Sequence, residues 1–147
     1  MFKHILVAVD GSELALQALR TAVELGRTCG SRLSVVFVVN PYPFVGVGTD
    51  FAYGQAQYLQ AANSEADSAL SEAGNLLTSE AAGLSHQVLR VEADSVHAGI
   101  LDTATAQRAD LLVVGSHGRS AIEKLVLGSV TQRVLSGSHL PVLVVRD

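Results

Sequence analysis

The sequence predicts an α/β protein: an open parallel β-sheet with helices on both faces. Three observations carry this. Short runs dominated by apolar residues, among them Ile5–Val9, Arg32–Val39, Leu111–Val114 and Pro141–Val145, read as strands covered on both sides. Stretches with helical spacing separate them, and such alternation favours a parallel sheet with right-handed crossovers. The chain has 147 residues, 48% hydrophobic and 16% charged, which suits one globular domain over residues 1–147. A chain of that length buries a core without help from metals or disulfides.

The elements follow in order. Ile5–Val9 is closed by Asp10-Gly11-Ser12. Ser12 is a good N-cap and Glu13 suits a first helical turn. Leu16, Leu19 and Val23 then recur at helical spacing as far as Cys29, and Gly30 is the stop. Arg32–Val39 is rich in β-branched residues, and Asn40-Pro41-Tyr42-Pro43 ends it. From Pro41 to Gln55 no period is visible, which predicts a long loop of the kind that is usually functional or mobile. Gln57–Ala82 reads as one Ala-rich helix, with Gly74 a local weakness. His86–Ala93 is a third strand, Val96–Arg108 a helix, and Leu111–Val114 a fourth strand. A helix from Ser129 to Ser136 and a last strand, Pro141–Val145, complete the order β-α-β-α-β-α-β-α-β.

Several function classes fall away. The net charge is −4 and no basic run exists, so nucleic acid is a poor partner. Cys29 is the only cysteine and has no activating neighbour; it reads as a packing or surface thiol. The apolar run at the N-terminus spans only Ile5–Val9, too short for a signal core or a membrane span, so a cytoplasmic protein is expected. His4, His86, His97, His117 and His139 lack metal-ligand spacing, and no metal site is expected. There is no GxSxG elbow, no GxxxxGK[ST] loop and no GxGxxG.

What remains is the stretch VVGSHGRSAIEKLVLGSVTQRVL, from Val113 to Leu135. Glycines fall at 115 and 118 where a strand stops, and Gly128-Ser129 opens the next helix. Glycine lets a ligand approach the backbone closely. A helix N-terminus offers unpaired N–H groups and partial positive charge, both suited to phosphate. Ser129 and Thr131 add hydroxyl donors. The pattern therefore reads as a two-part phosphate cradle. The plain alternative is a tight turn followed by an ordinary N-cap. If the first and fourth strands are neighbours, Asp10 faces the cradle, where a carboxylate accepts from ribose hydroxyls or helps hold a cation.

The spacing Gly115, two residues, Gly118, nine residues, Gly128-Ser129 resembles the motif of nucleotide-binding universal stress proteins. The segments ILVAVDGS, ADLLVVGSHGR and LPVLVV resemble that family's first, fourth and last strands, so the likeness covers essentially the whole chain. It implies a Rossmann-like, adenine nucleotide alpha hydrolase-like sheet of five strands in the order 3-2-1-4-5. It implies ATP, or ADP or AMP, with Mg²⁺, in the cleft between the first and fourth strands. By resemblance Asp10 touches the ribose or adenine end and Val38 gives adenine a backbone contact. Val114 and Gly115 line the sugar, and Gly118, Gly128, Ser129 and Val130 hold phosphates. The likeness also implies a homodimer through Pro141–Val145, whose apolar edge would otherwise invite aggregation.

The favoured reading is a stress-response module that binds an adenine nucleotide with little or no catalysis, and no catalytic residue is assigned. A slow ATPase or phosphotransferase is the rival, with Asp10 on Mg²⁺ and His117 or Arg119 near the γ-phosphate. His117 otherwise reads as a surface turn residue and Lys124 as solvated. A dimeric scaffold that binds no nucleotide is the third reading. Tyr42, Phe44, Phe51 and Tyr53 are read as packing residues rather than base-stacking ones.

Overall fold

A computed structural model gives the fold and describes residues 1–41, 49–118 and 126–147. The chain runs β1 (His4–Ala8), α1 (Glu13–Cys29), β2 (Arg32–Val39), α2 (Thr49–Glu80), β3 (His86–Glu92), α3 (Val96–Ala106), β4 (Leu111–Gly115), α4 (Ser129–Gly137) and β5 (Val142–Val145). The five strands form one parallel sheet in the order β3-β2-β1-β4-β5, as expected.

The inner strands are apolar throughout because both of their faces are covered. Ile5 and Val7 of β1, with Val35 and Phe37 of β2, point to the side packed by Leu19 and Val23 of α1 and Leu77 of α2. Leu6, Val36 and Val38 point the other way, against Ile100 and Ala104 of α3 and Val134 of α4. Alternating side chains thus feed two cores from one strand.

Local chemistry sets the helix ends. Ser12 Oγ accepts from Ala15 N at 3.2 Å, and Gly30 takes the left-handed φ of 69° that closes α1. α3 stops at Ala106 rather than at Arg108. Arg108 itself turns left-handed at φ 55°, and Ala109 N donates back to Ala104 O at 2.9 Å. A non-glycine residue in that conformation is uncommon, which is why the helical pattern reads on through it. α2 begins at Thr49, inside the stretch expected to be a loop. No proline follows Pro43 until Pro141, and Gly54 alone weakens a helix without ending it. Tyr42, Phe44, and the side chains of Phe51 and Tyr53 lie outside the described residues.

The amino-terminal end of the sheet is tied by a buried polar network. His4, only 3% exposed, has Nδ1 2.8 Å from Gln107 O, so Nδ1 carries the proton and donates. Nε2 then accepts from Ser34 Oγ at 2.6 Å, and Ser34 Oγ accepts from Gln87 Nε2 at 2.9 Å. One imidazole joins β1, β2, β3 and the end of α3. Asp110 accepts from the backbone N–H groups of Lys3 and His4 at 2.9 Å each.

Burial lowers the His4 pKa below 6.5, outweighing the Gln107 hydrogen bond. At Asp110 partial desolvation acts upward, but the Lys3 and His4 N–H groups together hold the carboxyl below 3.8. Both groups bind protons more readily in the unfolded chain, so both make stability fall as pH falls. His4 acts first, as pH drops through 6.5; Asp110 follows below 3.8. Urea unfolding between pH 8 and pH 5 (roughly the window of histidine titration) is expected to show falling stability. His4→Gln flattens that slope; an unchanged slope in the variant removes His4 as its source.

Candidate nucleotide cleft

At the carboxyl end of the sheet, β1 and β4 lie side by side, with Val7 opposite Val113. A cleft of about 750 Å³ opens there, within the ~300–1,000 Å³ usual for small-molecule sites. Its walls come from both helical layers. Asp10, Val38, Val114, Gly115, Gly118, Gly128, Ser129 and Val130, scattered over the sequence, all line it.

The glycine end is built around Asp10. Its Oδ1 accepts from Ser12 N at 2.9 Å, which fixes the carboxylate at the start of α1. Gly11 carries the chain through a φ of 86° that a side chain would resist. The other oxygen, Oδ2, lies 2.5 Å from where a Cβ on Gly118 would stand. Gly118 therefore makes room for Asp10 as well as for a ligand. Gly128 is bare for a different reason: a Cβ there would come 3.2 Å from the Cα of His117. Gly128 N donates to Ser116 O at 2.8 Å, so that N–H is committed to the loop. The next three N–H groups open α4, and the Gly128 N-cap brings no side chain to them. They give this end of the cleft N–H donors and partial positive charge, the chemistry that suits an anion.

Thr131 corrects the sequence reading. Its hydroxyl is not a phosphate donor: Oγ1 donates to Gly115 O at 2.7 Å, and the residue is 5% exposed. A threonine one turn into a helix faces the preceding strand when the helix docks there, and the strand-end carbonyl captures it. Ser116, 1% exposed, holds β5 and α4 through its backbone, donating to Val145 O at 2.8 Å and accepting from Gly128 N. Its Oγ is buried without a hydrogen-bond partner among the described residues. His117 is half-buried, with Nε2 3.3 Å from Asp147 Oδ2, and so leans toward the end of β5. Arg119 and Lys124 lie outside the described residues.

The other end of the cleft is apolar. Val36 and Val38 of β2 share a sheet face with Ile100 of α3, and Val96 of α3 lines the same cleft. Phe37, whose side chain packs on the other face, and Glu65 of α2 line it as well. Sequence reasoning missed Phe37, Val96, Ile100 and Glu65. The available signal was topological: β2 neighbours β1, so the helix entering beyond β3 must close that side.

The sequence profile described as the Universal stress protein family matches residues 1–146. The chain belongs to the universal stress protein family. A universal stress protein of Thermus aquaticus is 34% identical over 99% of this chain and all of its own length. One from Methanocaldococcus jannaschii is 29% identical over 99% of this chain and 83% of its own. Among solved structures, a universal stress protein in complex with cAMP superposes with a TM-score of 0.68 at 25% identity, covering 99% of this chain and 97% of that one. A universal stress protein of Archaeoglobus fulgidus in complex with dAMP has the same score and identity, covering 98% of each chain. The open sheet of this universal stress protein is the fold these relatives share. Among its described residues, no helix is long and apolar enough to cross a membrane.

Two buried hydroxyls give contrasting expectations in urea unfolding. Thr131→Val strips a hydrogen bond from the buried Gly115 carbonyl and is expected to cost about 1–2 kcal/mol. Ser116→Ala removes a hydroxyl that makes no bond among the described residues and is expected to be neutral or stabilising. The reverse order would show the hydrogen-bond assignment to be wrong.

Proposed function

We propose that this universal stress protein binds an adenine nucleotide, ATP in the first instance, in the cleft between β1 and β4. The observation that carries the reading is a division of chemistry along one cleft. An apolar slot lies at the β2–α3 end, and at the other end the Asp10 carboxylate stands beside Gly118, the glycine turns and an open helix N-terminus. A nucleotide divides the same way: a flat base, then a hydroxylated sugar and phosphates. Val38 and Val114 then border base and sugar, Asp10 and Gly115 meet the ribose, and Gly118, Gly128, Ser129 and Val130 surround the phosphates. The relatives solved with cAMP and dAMP carry adenine ligands, which supports the same class here.

Mg²⁺ enters with the phosphates in this reading. Among the described residues no three metal-ligating side chains converge. Asp10 offers a single carboxylate oxygen beyond its bond to Ser12, and Mg²⁺ commonly takes one or two carboxylates plus phosphate oxygens. Among the described residues no pair of side chains at the phosphate end is arranged to activate water, and His117 leans on Asp147. The function in this reading is binding and regulation, in the cytoplasm, with little turnover.

The proposed assembly is a homodimer through the last strand. Among the described residues no further strand pairs with β3 or β5, and the two edges differ. β3 carries His86, Gln87, Arg90 and Glu92, the charged kind of edge that resists pairing; β5 is Val142–Val145, apolar and half-buried. A monomer at micromolar concentration in sedimentation equilibrium would remove this part of the proposal.

The first experiment denatures the purified protein and identifies released nucleotide by mass, followed by calorimetric titration with Mg-ATP. Bound adenine nucleotide, or saturable binding on titration, is the expected result. No binding at millimolar Mg-ATP overturns the reading. Gly118→Val drives a side chain into Asp10 and the phosphate path, and Gly128→Val into His117. Each is expected to weaken binding at least about tenfold with the circular dichroism spectrum unchanged.

A further inference from the structure

Gly99 sits in the interior of α3, where glycine is a poor choice and no left-handed turn calls for it. Its surroundings supply the reason. A Cβ on Gly99 would stand 2.6 Å and 2.9 Å from the two Cγ atoms of Val38, and 3.0 Å from the Cβ of Ala93. Carbon atoms in contact normally keep about 3.5–4.0 Å apart, so α3 rests on the end of β2 more closely than any larger residue permits. Thr103 Oγ1 donates to Gly99 O at 2.7 Å, and the Ser95 N-cap accepts from Ala98 N. These bonds are internal to α3 and its cap and hold its first turns regular on both sides of the contact. Val96 and Ile100, four residues apart on one helical face, are the α3 side chains that wall the apolar slot, and Val38 is the strand residue facing them.

We infer that Gly99 is a positioning residue: by letting α3 settle onto Val38 it sets the width of the apolar slot, and with it the fit of a flat heterocyclic base. This rests on the nucleotide reading above and adds a determinant of base affinity that touches no ligand itself. The phosphate end stands on other elements, the β4–α4 loop and the start of α4, so the two ends are separable by experiment.

The test measures adenosine, AMP, ADP and ATP binding by calorimetry to wild type and Gly99→Ala, well below the melting temperature of each. All four ligands are expected to weaken by one common factor, about tenfold. The AMP-to-ATP affinity ratio, which reports the phosphate end, stays at its wild-type value. Against a Val38→Ala background, which removes the two nearest atoms that the new Cβ meets and leaves only the looser contact with Ala93, the same glycine substitution is expected to cost less than about threefold. That comparison also serves if Gly99→Ala alone folds poorly. Wild-type affinity in Gly99→Ala overturns the inference. So does a changed AMP-to-ATP ratio, or an undiminished loss in the Val38→Ala background. Wild-type protein that binds none of the four ligands overturns the nucleotide reading itself.

Discussion

The adjacency of β1 and β4 is the constraint on which the remaining architecture depends. The chain winds outward from β1 to β2 and β3, then crosses back to lay β4 on the free side of β1. Crossovers of one hand then send α1 and α2 to one face and α3 and α4 to the other. Between the ends of β1 and β4, neighbouring connections leave in opposite directions and no backbone fills the gap. A cleft at that point is a geometric consequence of the winding order. The side chains of Asp10 and the 115–118 turn occupy its floor because they end the two strands that border it.

The glycines in and around the cleft share a composition and differ in task. Gly11 permits a left-handed turn, Gly118 yields space to the Asp10 carboxylate, Gly128 lets the start of α4 press on His117, and Gly99 lets α3 press on Val38. Only the left-handed one concerns backbone strain. The other three allow elements to approach more closely than a methyl group tolerates, and close approach holds the walls of a site in register. The Thr131 hydroxyl on Gly115 O and the Gly128 N–H on Ser116 O act to the same end, clamping α4 to the tip of β4.

The two ends of the sheet are specialised in opposite ways. At the amino-terminal end, a neutral His4 closes a hydrogen-bond chain through Ser34 and Gln87, and Asp110 accepts backbone N–H groups from the start of β1. A histidine beside a serine there is structural: both are buried, and each polar atom already has its partner. At the carboxyl end the backbone is left with donors to offer, where α4 begins. Polar satisfaction at one end and polar availability at the other separate stability from binding within one small sheet.

The sequence by itself determined the strands, the helices α1 and α4, the sheet class and the placing of glycines where β4 ends and α4 begins. These are set by local patterns: apolar runs, Ser12 and Gly30 at the ends of a helix, and glycines at fixed spacing after a strand. The strand order came with the family resemblance, and all eight residues assigned to the cleft line it. Tertiary structure alone decided the rest. The Arg108 turn ended α3 early, and α2 began before its periodicity showed. Thr131 spent its hydroxyl on a strand carbonyl, and the apolar slot took Phe37, Val96 and Ile100 from elements far apart in the chain. The physical reason is common to all of these. A sequence pattern records which face of an element is apolar, whereas the partner that each side chain meets is fixed only when helix and sheet come into contact.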